Sequence, residues 1–202
     1  SRIDLMVKDL GHRYEILNNT FKVNASCLLT HPVIDAVRQL RNQHGLKAED
    51  VQEIECGVAG LCMDTAGVEE PQTGLAGKFS VHYCAALALA EGTAGEDKFS
   101  DQMIMDPTMI ELRKKVKVNI LPRLKDSEAR ARVTMRNGKE YTTFITYPKG
   151  DPRNPLDDVE LEEKFKSLAE TAISKEKTAL LLQTLWNLEK VEDIGQLTRL
   201  CS

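Results

Sequence analysis

The sequence predicts an α+β fold: an antiparallel-rich sheet with helices packed on one face, a two-layer sandwich, followed by C-terminal α-helices. Three observations carry that prediction. Residues 129–136 and 139–147 flank Asn137-Gly138, the strongest short hairpin signal a sequence offers. Helical and strand-like segments are interspersed, but without the strict alternation of a parallel βαβ sheet. Beyond residue 155 the periodicity is helical throughout.

Taken in order, Tyr14 to Ala25 reads as extended, with Tyr14, Ile16, Phe21 and Val23 apolar around an Asn18-Asn19 turn. Thr30-His31-Pro32 opens a helix, because Thr30 or His31 can cap it and proline is tolerated in a first turn. Val33, Ile34, Val37 and Leu40 give that helix an apolar stripe as far as Gly45, and His44 near its end suits the helix dipole. Val51, Ile54, Cys56 and Val58 read as a strand, followed by a loop rich in small residues from Gly60 to Gly77. Ser80 to Glu91 is almost entirely small or apolar, the composition of a helix buried on most sides. Asp106-Pro107 opens a short helix through Lys115, and Val116–Leu121 and Ala129–Thr134 alternate as half-buried strands do. The expectation is four or five strands with three helices before the boundary.

That boundary is the segment 148–155, with Pro148, Gly150, Pro152 and Pro155, which neither helix nor strand can cross. It divides the chain into residues 1–150, neutral overall, and residues 151–202, which carry 11 acids and 7 bases. The second part has one apolar face of Leu161, Phe165, Leu168 and Ala172. A broader one holds Leu181, Leu182, Leu185, Trp186 and Leu188, continued by Ile194, Leu197 and Leu200. These faces are wide for two helices that pack only on each other, and they predict a further helical surface.

The chain holds 27 basic and 31 acidic side chains, a net charge of −4, with no block of like charge. A nucleic-acid footprint is not expected. No apolar run approaches the ~18 residues of a membrane span, and no signal-peptide pattern opens the chain. Five spread cysteines, without a C-x-x-C pair, suit buried thiols in a reducing, cytoplasmic setting, and neither they nor the four histidines have zinc-ligand spacing. No metal site is expected.

Two arrangements could carry chemistry. In Lys78-Phe79-Ser80-Val81-His82-Tyr83, Ser80 is a good N-cap with Phe79 at the staple position before it. The helix start, with Lys78, His82 and Tyr83 around it, could bind a carboxylate or phosphate. The plainer alternative is a capped core helix with the Tyr83 ring buried. In the other arrangement Lys22 precedes Cys27 and the helix-start His31. A lysine and an imidazole there could serve an anionic substrate, and Cys27 is either a small filler or a nucleophile of a thiol enzyme.

At these places the sequence resembles the MmgE/PrpD family, which includes 2-methylcitrate dehydratase, cis-aconitate decarboxylase and iminodisuccinate epimerase. Phe21-Lys22 with Thr30-His31-Pro32-Val33-Ile34-Asp35-Ala36 is similar to its lysine-plus-histidine segment. Lys78-Phe79-Ser80-Val81-His82-Tyr83-Cys84-Ala85 resembles its K-F-S-x-x-Y helix start, and Asn154-Pro155-Leu156 with Leu161-Glu162-Glu163-Lys164-Phe165 resembles its C-terminal entry. The resemblance implies a lid, residues 1–150, and helices that return to a helical domain earlier in a longer chain, so that the fragment alone is expected to be inactive. It implies a cytoplasmic homodimer and work on small di- or tricarboxylates without metal or cofactor. Lys22 would bind a carboxylate or the developing enolate-like charge, and Tyr83 would hydrogen-bond the substrate or relay a proton. Cys27, with His31 nearby, stands where the decarboxylase branch has a histidine, which favours dehydration, isomerisation or an uncharacterised reaction over decarboxylation. The alternative from another class is a non-catalytic α+β binding or dimerisation module.

Overall fold

The computed structural model describes residues 3–201. The chain forms two compact units: residues up to Ala94 together with Lys98–Pro155, and Gly95–Asp97 together with the residues from Leu156 onward.

The first unit is built on a four-stranded sheet of β1 (Val51–Val58), β2 (Val116–Ile120), β3 (Ala129–Met135) and β4 (Glu140–Ile145), in the order β2-β1-β3-β4. β1 pairs with β3 and β3 with β4 antiparallel, whereas β1 runs parallel to β2, with Ile54 opposite Val116. The sheet is therefore mixed, with antiparallel pairs in the majority. A parallel pair needs a long crossover, and residues 59–115 supply it. The β3–β4 hairpin turns at Asn137-Gly138, where Gly138 has φ +80°.

After α1 (Asp4–Val7), the helices are α2 (His31–His44), α3 (Gly60–Ala66), α4 (Gly74–Gly77), α5 (Val81–Glu91), α6 (Asp101–Ile104) and α7 (Pro107–Arg113). α2 packs on β3, β4 and α5, and α5 packs on β2 and α7, so the helices form one layer over one sheet face. β3 shows why: Ala129, Ala131, Val133 and Met135 are buried, while Arg130, Arg132 and Thr134 face away from the core. On β1 the outward Glu55 pairs with Arg132 across the strands. α5 is buried from Val81 through Leu89, as its uniformly apolar composition predicts.

Three local expectations are corrected. Tyr14–Ala25 is not a strand: Glu15–Asn18 is a single 3-10 turn, and the chain after it is irregular. Its backbone makes isolated bonds, Phe21 N–H to the Gly150 carbonyl and Ala25 N–H to Ala94, rather than a ladder. Gly60–Gly77 is not a plain loop but contains α3 and α4, the latter capped by the Thr73 side chain. Leu61, Met63 and the alanines favour helix more strongly than the glycines oppose it. Finally, neither Thr30 nor His31 caps α2 through its side chain; the Thr30 hydroxyl donates to the Cys27 carbonyl at 2.8 Å instead.

Segment 148–155 is a tight turn closed by its own backbone bonds, Gly150 N–H to Asn154 and Asn154 N–H to Asp151. Gly150 sits at φ +90°, and a Cβ there would lie 2.1 Å from the Phe21 carbonyl oxygen. Only glycine meets both conditions.

The second unit contains α8 (Asp158–Ala169), α9 (Lys175–Leu185) and α10 (Gly195–Leu200). Asp157 and Glu160 form a capping box on α8, Ser174 caps α9, and Trp186 donates from Nε1 to Glu162 at 2.9 Å. Among the described residues no helix is long and apolar enough to cross a membrane.

Candidate active site

The two sequence arrangements, some fifty residues apart, meet in the first unit. The coil at 21–27 runs past the turn that enters α5, and the Cys27 N–H donates to the Lys78 carbonyl at 2.8 Å. Ser26 and Thr30 share a hydroxyl hydrogen bond of 2.8 Å and lie beside the Cys84 thiol of α5. The Cys62 thiol of α3 donates to the Leu29 carbonyl at 3.3 Å, tying the same turn to a third element. Burial pushes the thiols of Cys56, Cys62 and Cys84 up to about 12, so all three are protonated at neutral pH and inert as nucleophiles.

Lys22 is exposed, and its position is fixed by Phe21, whose N–H is held by Gly150. Where this coil passes the boundary turn there is a cleft of about 160 Å³ lined by Thr20, Leu28, Ser127, Pro148 and Asp151 among others. Cys27 is half-buried, with its Sγ 4.0 Å from the Thr65 hydroxyl. His31, the first residue of α2, is buried. Lys78 is half-buried, and its ammonium lies 5.9 Å from the centre of the Phe99 ring.

At the α5 start, the fully buried Ser80 hydroxyl accepts the Tyr83 N–H at 3.1 Å, the cap its position predicts. The Tyr83 ring is buried edge-on to Phe99, with centroids 5.8 Å apart, and its hydroxyl donates to the Lys98 carbonyl at 2.8 Å. Burial raises the phenol further, so Tyr83 is a donor and not a phenolate.

His82 follows a different direction from Tyr83, one residue on. It lines a small cleft with Glu69, Glu70, Arg113, Lys114 and Val116, and its buried Nδ1 has no hydrogen-bond partner. Burial lowers the imidazole below its ordinary range; Arg113 adds to this and Glu69 opposes it. The structure thus joins Cys27 and Lys78 at the backbone and gathers Lys78 and Tyr83 around Phe99, while His82 faces Arg113. Among the described residues, no group of three or more histidine, cysteine or acidic side chains could hold a metal ion.

Arg113 escaped the sequence reading. The available signal is its position in α7, where it shares the core-facing side with Met109 and Leu112, an unusual place for a charge. The Lys98 carbonyl that accepts the Tyr83 hydrogen bond left no trace in the sequence.

Residues 25–188 match the family model described as the MmgE/PrpD C-terminal domain, a range that begins just after Lys22. The chain is similar to cis-aconitate decarboxylase of Mus musculus, 28% identical over 127 residues, covering 61% of this chain and 26% of that protein. It is also similar to cis-aconitate decarboxylase of Homo sapiens, 30% identical over 127 residues with the same coverage of 61% and 26%. The chain spans about a quarter of the length of these curated relatives.

Proposed function

From the premise that the chain belongs to the MmgE/PrpD family, we propose that it is the C-terminal part of a lyase or isomerase acting on a small di- or tricarboxylate, in the manner of 2-methylcitrate dehydratase. The observation that carries this reading is the meeting of the two motif segments, held by the 2.8 Å bond from Cys27 to Lys78. In the reaction a base removes a proton from the carbon next to a carboxylate, the hydroxyl on the neighbouring carbon takes up a proton from an acid and leaves as water, and a C=C bond forms between the two carbons. The difficulty is negative charge accumulating beside groups already ionised, which placed cations and donors relieve.

Lys22 is the cation for that charge, with Cys27 and His31 as the further catalytic residues of this segment. Lys78 and Ser80 form the substrate-binding side next to Tyr83, and His82 would extend it from the separate cleft it shares with Arg113. For Tyr83 to hydrogen-bond the substrate or relay a proton, its hydroxyl must exchange the Lys98 carbonyl for the ligand. The remaining catalytic groups come from an N-terminal helical domain of the same longer chain. Exposed Val159, Leu168, Leu180, Trp186 and Ile194 support such a partner surface. The whole works as a cytoplasmic homodimer, without metal or cofactor, and this chain alone is inactive.

Decarboxylation is the second reading, favoured by the name of both relatives. One experiment separates the two: incubation of the natural protein containing this chain with 2-methylcitrate and with cis-aconitate, with products weighed by mass spectrometry. Loss of water from the hydroxylated acid is expected. Loss of CO2 from cis-aconitate would select decarboxylation, and turnover of neither acid would overturn both.

A further inference from the structure

We propose that the cleft between α5, α7 and the segment after α3 is a binding site for a small carboxylate, held by Arg113 beside the His82 imidazole. Arg113 is only 7% exposed, yet among the described residues no hydrogen bond or ion pair satisfies its guanidinium. Arg113 lines the cleft, and a carboxylate entering it has two oxygens that match the guanidinium fork. His82 is 8% exposed, lines the same cleft, and presents a buried Nδ1 with no partner. Two polar side chains, each more than nine-tenths buried, thus line one space.

The cleft holds about 50 Å³. That is room for a few water molecules, at roughly 10–15 Å³ apiece, and so for an acetate-sized group. Lys114 adds a second cation at its edge, with its ammonium 2.7 Å from Glu111. Exposed Glu69 and Glu70 stand at the rim and oppose an anion, so they set the affinity low and the size limit tight. His82 also belongs to the substrate-binding side proposed above, but the site is argued from Arg113 and the cleft. It stands if the lyase reading fails: acetate binding by a protein that turns over no polycarboxylate would still support it.

The test follows the histidine ring resonances of the full chain by NMR while sodium acetate replaces sodium chloride at constant ionic strength. His82→Gln assigns the signal. A saturable shift of His82 is expected, with His12 and His44 unmoved. Arg113→Met should weaken acetate binding at least tenfold. The surface pair Glu69→Gln and Glu70→Gln should tighten it several-fold, and decides the matter even if the Arg113 variant does not fold. A shift that never saturates, or an affinity indifferent to the glutamates, would overturn the site. Tenfold tighter binding of inorganic phosphate would overturn its assignment to carboxylates. Binding that appears only when Glu69 is neutral would make Glu69 the natural partner of Arg113 and overturn the proposal.

Discussion

The α+β unit and the C-terminal helical unit are both rich in apolar side chains, yet they use them differently. In the first, α2, α5 and the inward face of the sheet bury a continuous cluster from Val33 to Met135. In the second, only Thr178 and Leu181 are buried among the described residues, while Val159 is 65% and Trp186 49% exposed. The first unit is held by packing. The helices of the second are held by local chemistry: the Asp157–Glu160 capping box, the Ser174 cap, and the pair of Lys166 with Glu162 at 3.0 Å. Wide apolar faces on well-capped helices are what the proposed N-terminal helical domain would cover.

The largest effect that can sharpen this contrast is cavity formation in the first unit. Leu87→Ala, on the fully buried face of α5, should lower unfolding free energy by about 2–5 kcal/mol in denaturant titrations. Next comes Gly150→Ala, which combines a left-handed backbone with a clash on the Phe21 carbonyl; about 1–3 kcal/mol is expected in the same titration. It should also loosen the coil that carries Lys22, visible as faster amide exchange at Phe21. Trp186→Ala sits at the bottom of the scale, below about 1 kcal/mol, because its ring is half-exposed. A loss at Trp186 as large as that at Leu87 would break the comparison.

Acid adds a further prediction about the boundary turn. The bidentate hydrogen bonds from Arg153, at 2.7 and 2.8 Å, hold the Asp151 carboxyl below its ordinary value of 3.8. With the folded value depressed, the stability it contributes is present above about pH 4 and is lost as pH falls through the folded value. Asp151→Asn should flatten that part of the stability–pH curve by lowering stability at neutral pH, and leave the acid end little changed. His82 acts at higher pH in the same sense: its lowered imidazole means that stability falls as pH drops below 6.5, where the unfolded chain takes up the proton more readily.

Much of this molecule was legible because local signals and burial agree. Asn137-Gly138 specified the hairpin, the alternation in 129–135 specified the sheet face, and Ser80 and Asp106 capped the helices their spacing assigned to them. The failures have a common cause. Tyr14, Ile16 and Phe21 alternate like a strand but find no neighbour to complete a ladder, and pairing is not written in one segment. Leu61 and Met63 lie in helix although glycines flank them, because propensity summed over the turn outweighs its ends. At the site, the sequence identified the segments that meet but not the direction of their side chains. Tyr83 turns to Lys98, and His82 turns to Arg113, a residue named by no motif.

The central claim is that the α+β unit supplies the cation for an ionised substrate. The direct measurement is kcat/KM of the natural protein on small polycarboxylates with Lys22→Ala and Lys22→Arg. Since Lys22 is exposed, neither change should alter thermal unfolding. The account predicts a fall of about 100-fold or more for alanine, as expected for loss of a charge-stabilising group, with partial recovery in arginine. Unchanged kcat/KM in the alanine variant would contradict it.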